Sequence, residues 1–413
     1  MGDKTIRLQR VSKPLHARIR LASSKSESNR SLIIQALSKE NIELQNLAEA
    51  RDTQTMMRLL KSDEEELDVL DAGTTMRFLL AYCTVAKPGR VLKGTPRMHQ
   101  RPVKLLVDAL NKLGASIDYL QNEGYPPVRL NGLPDGQKQS AVSIRGDVSS
   151  QYISALLMIA PTLPQGLKLT LEGKIGSRPY IAMTLGLMKR FGIEYLWEDN
   201  IITIEPQAYG KGSYTIESDW SGASYWYSLV ALADDAEIKL LGLREDSLQG
   251  DITIVEIMDK LGVISTFDEE GVLLQKKEAV EELAYDFSDC PDLAQTVAVT
   301  CAAKGIPCTM TGLESLYIKE TDRVAALREE LSKLGASLLE DKETWELKPG
   351  VNLKETEGVQ IHTYEDHRMA MAFAPLAALM DVIIEDPDVV VKSYPGFWKD
   401  LDQAGVEQEI TGV

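Results

Sequence analysis

Glycine placed after an apolar residue recurs along this chain at the ends of four helix-like segments, and the interval is nearly constant. Leu113-Gly114, Phe191-Gly192, Leu261-Gly262 and Leu334-Gly335 lie 78, 70 and 73 residues apart. Each pair closes an amphipathic stretch; in the first, Val103, Leu106, Val107, Leu110 and Leu113 carry the helical spacing. Glycine suits the left-handed position that stops a helix. An apolar strand ending in glycine precedes each stretch, at Val91–Gly94, Lys168–Gly173, Ile238–Gly242 and Cys308–Gly312, and another strand-like run follows, as in Ala115–Leu120. Two of the helices are expected to open at Arg101-Pro102 and Arg178-Pro179, with proline in the first turn, where its missing N–H costs nothing. Strand–helix–strand units are common in α/β proteins, but glycines matched at both ends point to duplication. At about 70 residues per unit, the chain holds roughly six copies, and 413 residues exceed what one core organises. An α/β chain of at least two domains is therefore expected. Composition marks the best interior break at Glu205–Tyr214, which is rich in glycine and proline and poor in apolar residues.

Apolar residues at 44% and charged residues at 26% exclude a disordered chain. The formal net charge of −17 argues against a nucleic-acid partner, whose footprint is a basic surface. Any anionic ligand must then be held by cations gathered locally. The four cysteines form no C-x-x-C pair, and free thiols fit a reducing compartment. The four histidines lack ligand spacing, so no metal centre is expected. Met1–Arg10 has no apolar signal core, and the apolar run Ala370–Met380 is too short to span a bilayer. These features predict a soluble cytoplasmic protein.

Several loop-to-helix junctions combine cations with small or hydroxyl residues. Ser23–Arg30, with Lys25, Ser26 and Arg30, precedes the apolar run Leu32–Leu37. Helix capping accounts for it taken alone, and an oxyanion cradle is the alternative. Asp71–Arg77 reads as a turn into a helix, where Gly73 permits close approach of a ligand. Thr95–Pro102 carries two arginines suited to clamping a carboxylate or phosphate. Asp147–Tyr152 offers Ser149, Ser150 and Gln151 ahead of the apolar run Ile153–Ile159; capping serves equally well. Asp292 precedes the apolar stretch Leu293–Ala303, as a cap or a base. Ile318–Arg323 packs Lys319, Glu320, Asp322 and Arg323 at a helix start, where surface pairing is the plain account. His367 and Arg368 abut the apolar run Met369–Met380, so both are expected to be partly desolvated and to have partners. Lys392 follows three valines. Lys25, Arg30, Arg77, Arg101, Lys319, Arg323, Arg368 and Lys392 together would suit proton transfer on a multiply anionic substrate, with Asp292 and Glu320 as the acid–base groups.

Seven of these segments, in order, resemble the enolpyruvyl transferases: S-K-S-x-S-N-R at 24–30, A-G-T-x-M-R at 72–77, G-x-P-R-M-x-x-R-P at 94–102, S-S-Q at 149–151, P-D at 291–292, K-E-T-D-R at 319–323 and D-H-R-M-A-M at 366–371. The resemblance implies two similar domains, each of three βαβαββ units in an inside-out α/β barrel, with the active site in the cleft between them. It implies one continuous domain at 21–218 and a second from 1–20 and 219–413. The implied reaction transfers the enolpyruvyl group of phosphoenolpyruvate to the 5-hydroxyl of shikimate 3-phosphate through a tetrahedral intermediate, on the shikimate pathway, with no cofactor. Lys25, Ser26, Arg30, Ser149, Ser150, Gln151, Ser177, Asp292, Ser315 and Lys319 would contact shikimate 3-phosphate. Lys25, Gly73, Arg101, Gln151, Arg323, Arg368 and Lys392 would contact phosphoenolpyruvate. Asp292 would be the base on the 5-hydroxyl, and Glu320, Lys25, Lys392 and His367 complete the catalytic set. The sequence departs from the family at Asp71 (usually Asn), Ser23-Ser24 (Pro-Gly), Phe78 (Pro) and Ser315 (Asn). Gly73 leaves the room in which the family binds glyphosate, so sensitivity is expected. A UDP-N-acetylglucosamine enolpyruvyl transferase is the nearest alternative, but it would place a cysteine in the loop Gly94–Arg101, which has none. A non-catalytic anion binder would have little use for Asp292 and Glu320. A monomer is expected.

Overall fold

The computed structural model describes residues 4–319, 321–350 and 358–412. The chain divides into two compact units. The inserted unit is continuous, Ser24–Ile216; the split unit combines Met1–Ser23 with Glu217–Val413. The glycine- and proline-rich stretch 205–214 is not the break expected from composition. It leads into strand Gly212–Thr215, which pairs with Ile42–Gln45 inside the inserted unit.

Six α-helices belong to the inserted unit: α1 (Lys25–Leu37), α2 (Arg51–Lys61), α3 (Gly73–Ala86), α4 (Lys104–Leu113), α5 (Ser150–Ile159) and α6 (Arg178–Arg190). Six more, among the described residues, belong to the split unit: α7 (Trp220–Leu232), α8 (Ile254–Leu261), α9 (Ala294–Lys304), α10 (Arg323–Ser332), α11 (His367–Phe373) and α12 (Phe397–Gln403). No helix of the described residues is long and apolar enough to cross a membrane.

One wiring repeats throughout. Strand Glu66–Asp68 leads through α3 to its parallel neighbour Arg90–Lys93, then through α4 into the hairpin Ile117–Tyr119 and Val128–Leu130, which pairs back antiparallel. Ala141–Arg145, α5, Leu167–Glu172, α6 and the hairpin Leu196–Glu198 and Ile201–Ile204 repeat it. So do Leu283–Asp286, α9, Cys308–Thr311, α10 and the hairpin Ser337–Asp341 and Thr344–Lys348. The other copies are interrupted. Leu15–Arg20 is parallel to Ala236–Leu241, with the whole inserted unit between them in sequence. Val359–Ile361, α11, Val382–Glu385 and α12 are completed by Gln408–Thr411 and the N-terminal strand Thr5–Leu8. In the sixth, Gly212–Thr215 returns to lie parallel to Ile42–Gln45, between α1 and α2.

The helices alternate in character. α3, α5, α7, α9 and α11 are largely apolar and almost wholly buried, as a helix enclosed by protein must be, whereas α1 is buried over Glu27–Ile34 but polar in its first turns. Within each unit the three inner helices pack on one another. Small hydroxyl residues let α7 and α9 approach closely and satisfy each other: Ser224 with Thr296 at 3.2 Å and Ser228 with Thr300 at 2.7 Å. The apolar run 369–380 is buried as expected, but α11 stops at Phe373 and a 3-10 turn, Ala374–Ala378, takes over around Pro375. Proline there cannot donate the helical hydrogen bond. All four cysteines are free and buried.

Two expected helix starts shift. α4 begins at Lys104, after the 3-10 turn Met98–Gln100, so Pro102 precedes the helix instead of opening it. α1 begins at Lys25, so Ser26–Arg30 lie within the helix, and Ser24 caps it by accepting from the Glu27 N–H. The four repeat glycines all adopt positive φ, at 113°, 85°, 103° and 70° along the chain. Surroundings distinguish them. A Cβ on Gly114 would stand 2.5 Å from the Gly136 carbonyl oxygen, whereas one on Gly192 would meet nothing nearer than 4.0 Å. Gly192→Ala should therefore cost only the left-handed penalty of about 1 kcal/mol, and Gly114→Ala distinctly more. Urea unfolding midpoints of the two variants check that order.

Candidate active site

In the inserted unit the N-terminal ends of α1, α3 and α5 gather. Gln151, in the first turn of α5, donates from Nε2 to Thr74 Oγ1 in the first turn of α3 at 3.0 Å. Thr75 Oγ1 donates to the Asp52 carbonyl at 3.3 Å, and the Asp52 carboxylate lies 3.3 Å from Lys25 Nζ at the start of α1. Asp52 is buried. Arg101 reaches the same end: Nη1 donates to the Asp71 carbonyl at 3.4 Å, and a Cβ on Gly73 would collide with the guanidinium at 2.6 Å. Any larger residue there would oblige the Arg101 guanidinium to shift. Arg77 braces the loop from below, donating to the Gly73 and Pro102 carbonyls at 3.1 and 2.9 Å. Ser149 is the N-cap of α5 and accepts from the Gln151 N–H; Ser150 is buried beside it. Ser177 sits at φ +51° ahead of α6, and its side chain makes no capping bond.

Arg30 differs from the other cations. It is buried, and its guanidinium is occupied by Thr184 Oγ1 at 2.7 Å, Ser154 Oγ at 3.2 Å and the Ser26 carbonyl at 3.0 Å. Its Cζ lies 5.3 Å from the Phe78 ring centre and 5.9 Å from that of Tyr180. Burial pushes its pKa down to about 10, with Tyr180 and Glu27 opposing. It therefore supports the Ser26 backbone from inside. Phe78, a departure from the family pattern, supplies one face of that cation's surroundings.

In the split unit the ends of α7, α9 and α11 gather around one carboxylate. Asp292, in the 3-10 turn Pro291–Leu293 leading into α9, lies 3.0 Å from Arg323 Nη1, 2.9 Å from Arg368 Nη2 and 3.8 Å from Lys319 Nζ. Arg323 is held from behind by Asp366, with Nε at 2.6 Å from a carboxylate that has no exposed surface. Asp366 also caps α11, accepting from the Arg368 N–H at 2.8 Å. Arg368 further reaches Ser221 Oγ and the Tyr225 hydroxyl, each at 3.4 Å. Burial pushes the Tyr225 phenol up to about 12, so it stays neutral. His367 is buried beside Asp366, at 3.6 Å. Lys392 is buried at the end of the 3-10 turn Pro387–Lys392. Ser315 is half-buried in the 3-10 turn Glu314–Ile318. Glu320 lies outside the described residues.

Four of the eight cations singled out from sequence thus fall in each unit. Among the described residues, no group of three His, Cys, Asp or Glu side chains could hold a metal ion. Sequence reading missed Asp52, Ser221 and Asp251. Asp52 carried a faint signal, an acid at the buried start of an otherwise amphipathic helix. Asp251 had none.

The wiring is that expected of an enolpyruvyl transferase. Comparison with known proteins narrows the class. The family model for EPSP synthase (3-phosphoshikimate 1-carboxyvinyltransferase) matches residues 9–63 and 62–401. A 3-phosphoshikimate 1-carboxyvinyltransferase of Bacteroides fragilis strain YCH46 is 50% identical over 398 residues, 95% of this chain and 96% of that one. One from Pectobacterium atrosepticum is 35% identical over 421 residues, covering 94% and 96%. The EPSP synthase structure from Acinetobacter baumannii superposes with a TM-score of 0.81 over 99% of this chain and 100% of that one, at 18% identity. The chain belongs to the EPSP synthase family.

Asp251 makes the Asp292 cluster sensitive to pH. It is buried, it accepts a short hydrogen bond from Ser221, and burial, with repulsion from Asp292, pushes its carboxyl up to about 7. A carboxyl raised above its unfolded value binds more protons folded than unfolded, so its contribution to stability is full below about pH 4 and is lost as pH rises towards 7. Asp251→Asn keeps the Ser221 contact without the titration. Its melting temperature should fall less than the wild type's between pH 4 and 7; parallel curves would exclude Asp251 as the source.

Proposed function

We propose that the chain transfers the enolpyruvyl group of phosphoenolpyruvate to the 5-hydroxyl of shikimate 3-phosphate and releases phosphate. Membership of the family supports the reaction, and the Asp292 cluster carries the mechanism: one carboxylate faced by three cations. Asp292 holds Arg323 and Arg368 in place, so they need little reorganisation to meet an anion. Substrate phosphate and carboxylate then compete for the guanidiniums and release Asp292 to accept the 5-hydroxyl proton. The hydroxyl oxygen bonds to C2 of phosphoenolpyruvate while C3 gains a proton. Loss of a C3 proton and of phosphate from the tetrahedral intermediate regenerates the double bond.

Lys25, Ser26, Ser149, Ser150, Gln151, Ser177, Ser315 and Lys319 serve shikimate 3-phosphate in this reading, with Arg30 acting through the Ser26 backbone. Lys25, Gly73, Arg101, Gln151, Arg323, Arg368 and Lys392 serve phosphoenolpyruvate. Their cations offset the mutual repulsion of two anions and orient the reacting atoms. Glu320, Lys25 and Lys392 are assigned to the C3 proton and the departing phosphate, and His367 to the support of Asp366. The protein acts as a cytoplasmic monomer.

Phosphate release should require phosphoenolpyruvate together with shikimate 3-phosphate. Release with UDP-N-acetylglucosamine instead would assign the alternative acceptor, and release with neither would leave an anion binder. Asp292→Ala should lower kcat by two orders of magnitude or more, in the range for a lost general base of about 10²–10⁴. Near-normal turnover would remove Asp292 from that role.

A further inference from the structure

Asp71 brings a carboxylate to the edge of an anion-holding cluster, and the structure contains its answer. Arg51, the first residue of α2, lies with Nη2 at 2.8 and 3.0 Å from the two Asp71 carboxylate oxygens. Seven residues on, and so on the same face of α2, Arg58 Nη2 donates to the Asp68 carbonyl at 2.9 Å. Both arginines therefore grip one turn, residues 68–72, which delivers the chain into α3. That turn is tightly built. Leu70 adopts φ +56°, its N–H donates to Asp68 Oδ1 at 2.8 Å, and its carbonyl accepts from the Thr95 N–H at 3.0 Å. The Asp71 carbonyl in turn holds Arg101. Ala72, the N-cap of α3, has no side chain to satisfy the first amides, so a bare carboxylate at Asp71 would compete with a ligand for those amides and for Arg101.

We propose that Arg51 and Asp71 are a matched pair that sets phosphoenolpyruvate affinity: Arg51 neutralises Asp71 and fixes the turn that aims Arg101. Arg51 is a positioning residue, not a catalytic one. The identity of the anion rests on the function proposed above; the pairing does not. A single partly exposed charge contact is worth a factor of about five. Arg51→Gln should therefore raise KM for phosphoenolpyruvate about fivefold, with kcat and KM for shikimate 3-phosphate within twofold of wild type. Adding Asp71→Asn should return that KM to within twofold, because no charge is left to neutralise. A merely structural contact would instead lower the melting temperature and leave the two KM values alike. Additive effects of the two substitutions, or an unchanged KM in Arg51→Gln, would overturn the pairing. If the wild type does not turn over, the proposed function fails, and wild type, Arg51→Gln, Asp71→Asn alone and the double variant still test the pair through the rise in melting temperature caused by inorganic phosphate: restored in the double variant if the pairing holds, additive if it does not.

Discussion

A helix enclosed by apolar neighbours satisfies its own backbone except at its two ends, and at its first turn the N–H groups point outward without intrahelical partners. In each unit three such helices pack together, and at their N-terminal ends the apolar surroundings give way to polar groups. The core thus dictates where polar chemistry collects. Caps, cations and carboxylates meet where the chain cannot bury anything apolar, and the dipoles of three helices favour negative charge at those ends. The sheets and the even-numbered helices outside serve to enclose the inner three.

The same constraint resolves the charge problem. A chain of net charge −17 holds several of these cations against fixed carboxylates, Lys25 with Asp52 and Arg323 with Asp366 and Asp292, and others against hydroxyl or carbonyl oxygens, as with Arg30, Arg77 and Arg101. Breaking a buried pair such as Arg323–Asp366 by removing one partner costs roughly 3–5 kcal/mol. Such pairs therefore hold their arginines rigidly, whereas Asp292, shared among three cations, can yield one of them to an incoming anion.

Much of this was legible in the sequence, and what was not failed for definite reasons. Periodic glycines exposed four copies of the unit because those copies have uninterrupted helix ends. The fifth closes at Ala404-Gly405, again at positive φ, but alanine replaces the expected larger residue; the sixth closes at Ser62. These two copies are also among those whose strands come from distant parts of the chain, which a search for local periodicity does not see. Lys25, Arg101, Asp292 and Arg368 were found because each stands at a junction. Asp251, Ser221 and Arg51 became visible only once folding brought them against residues far away in sequence. Arg30 looked like a loop cation because the start of α1 is polar; the helix, capped by Ser24, begins at Lys25, seven residues before the apolar run at Leu32.

The insertion of one unit inside the other also governs the order in which the molecule can be built. As synthesis proceeds from the N-terminus, Ser24–Ile216 is complete before α7 exists. Strand Leu15–Arg20 must wait for Ala236–Leu241, and Thr5–Leu8 for Val382–Glu385 and Gln408–Thr411. Closing so long a loop on an unfolded chain carries an entropic cost that grows with its length. A folded Ser24–Ile216 shortens that loop, because the residues that flank it already lie together: Ser23 and Ser218 form an antiparallel bridge. The early unit is thus the clasp that brings the first strands of the chain within reach of the last.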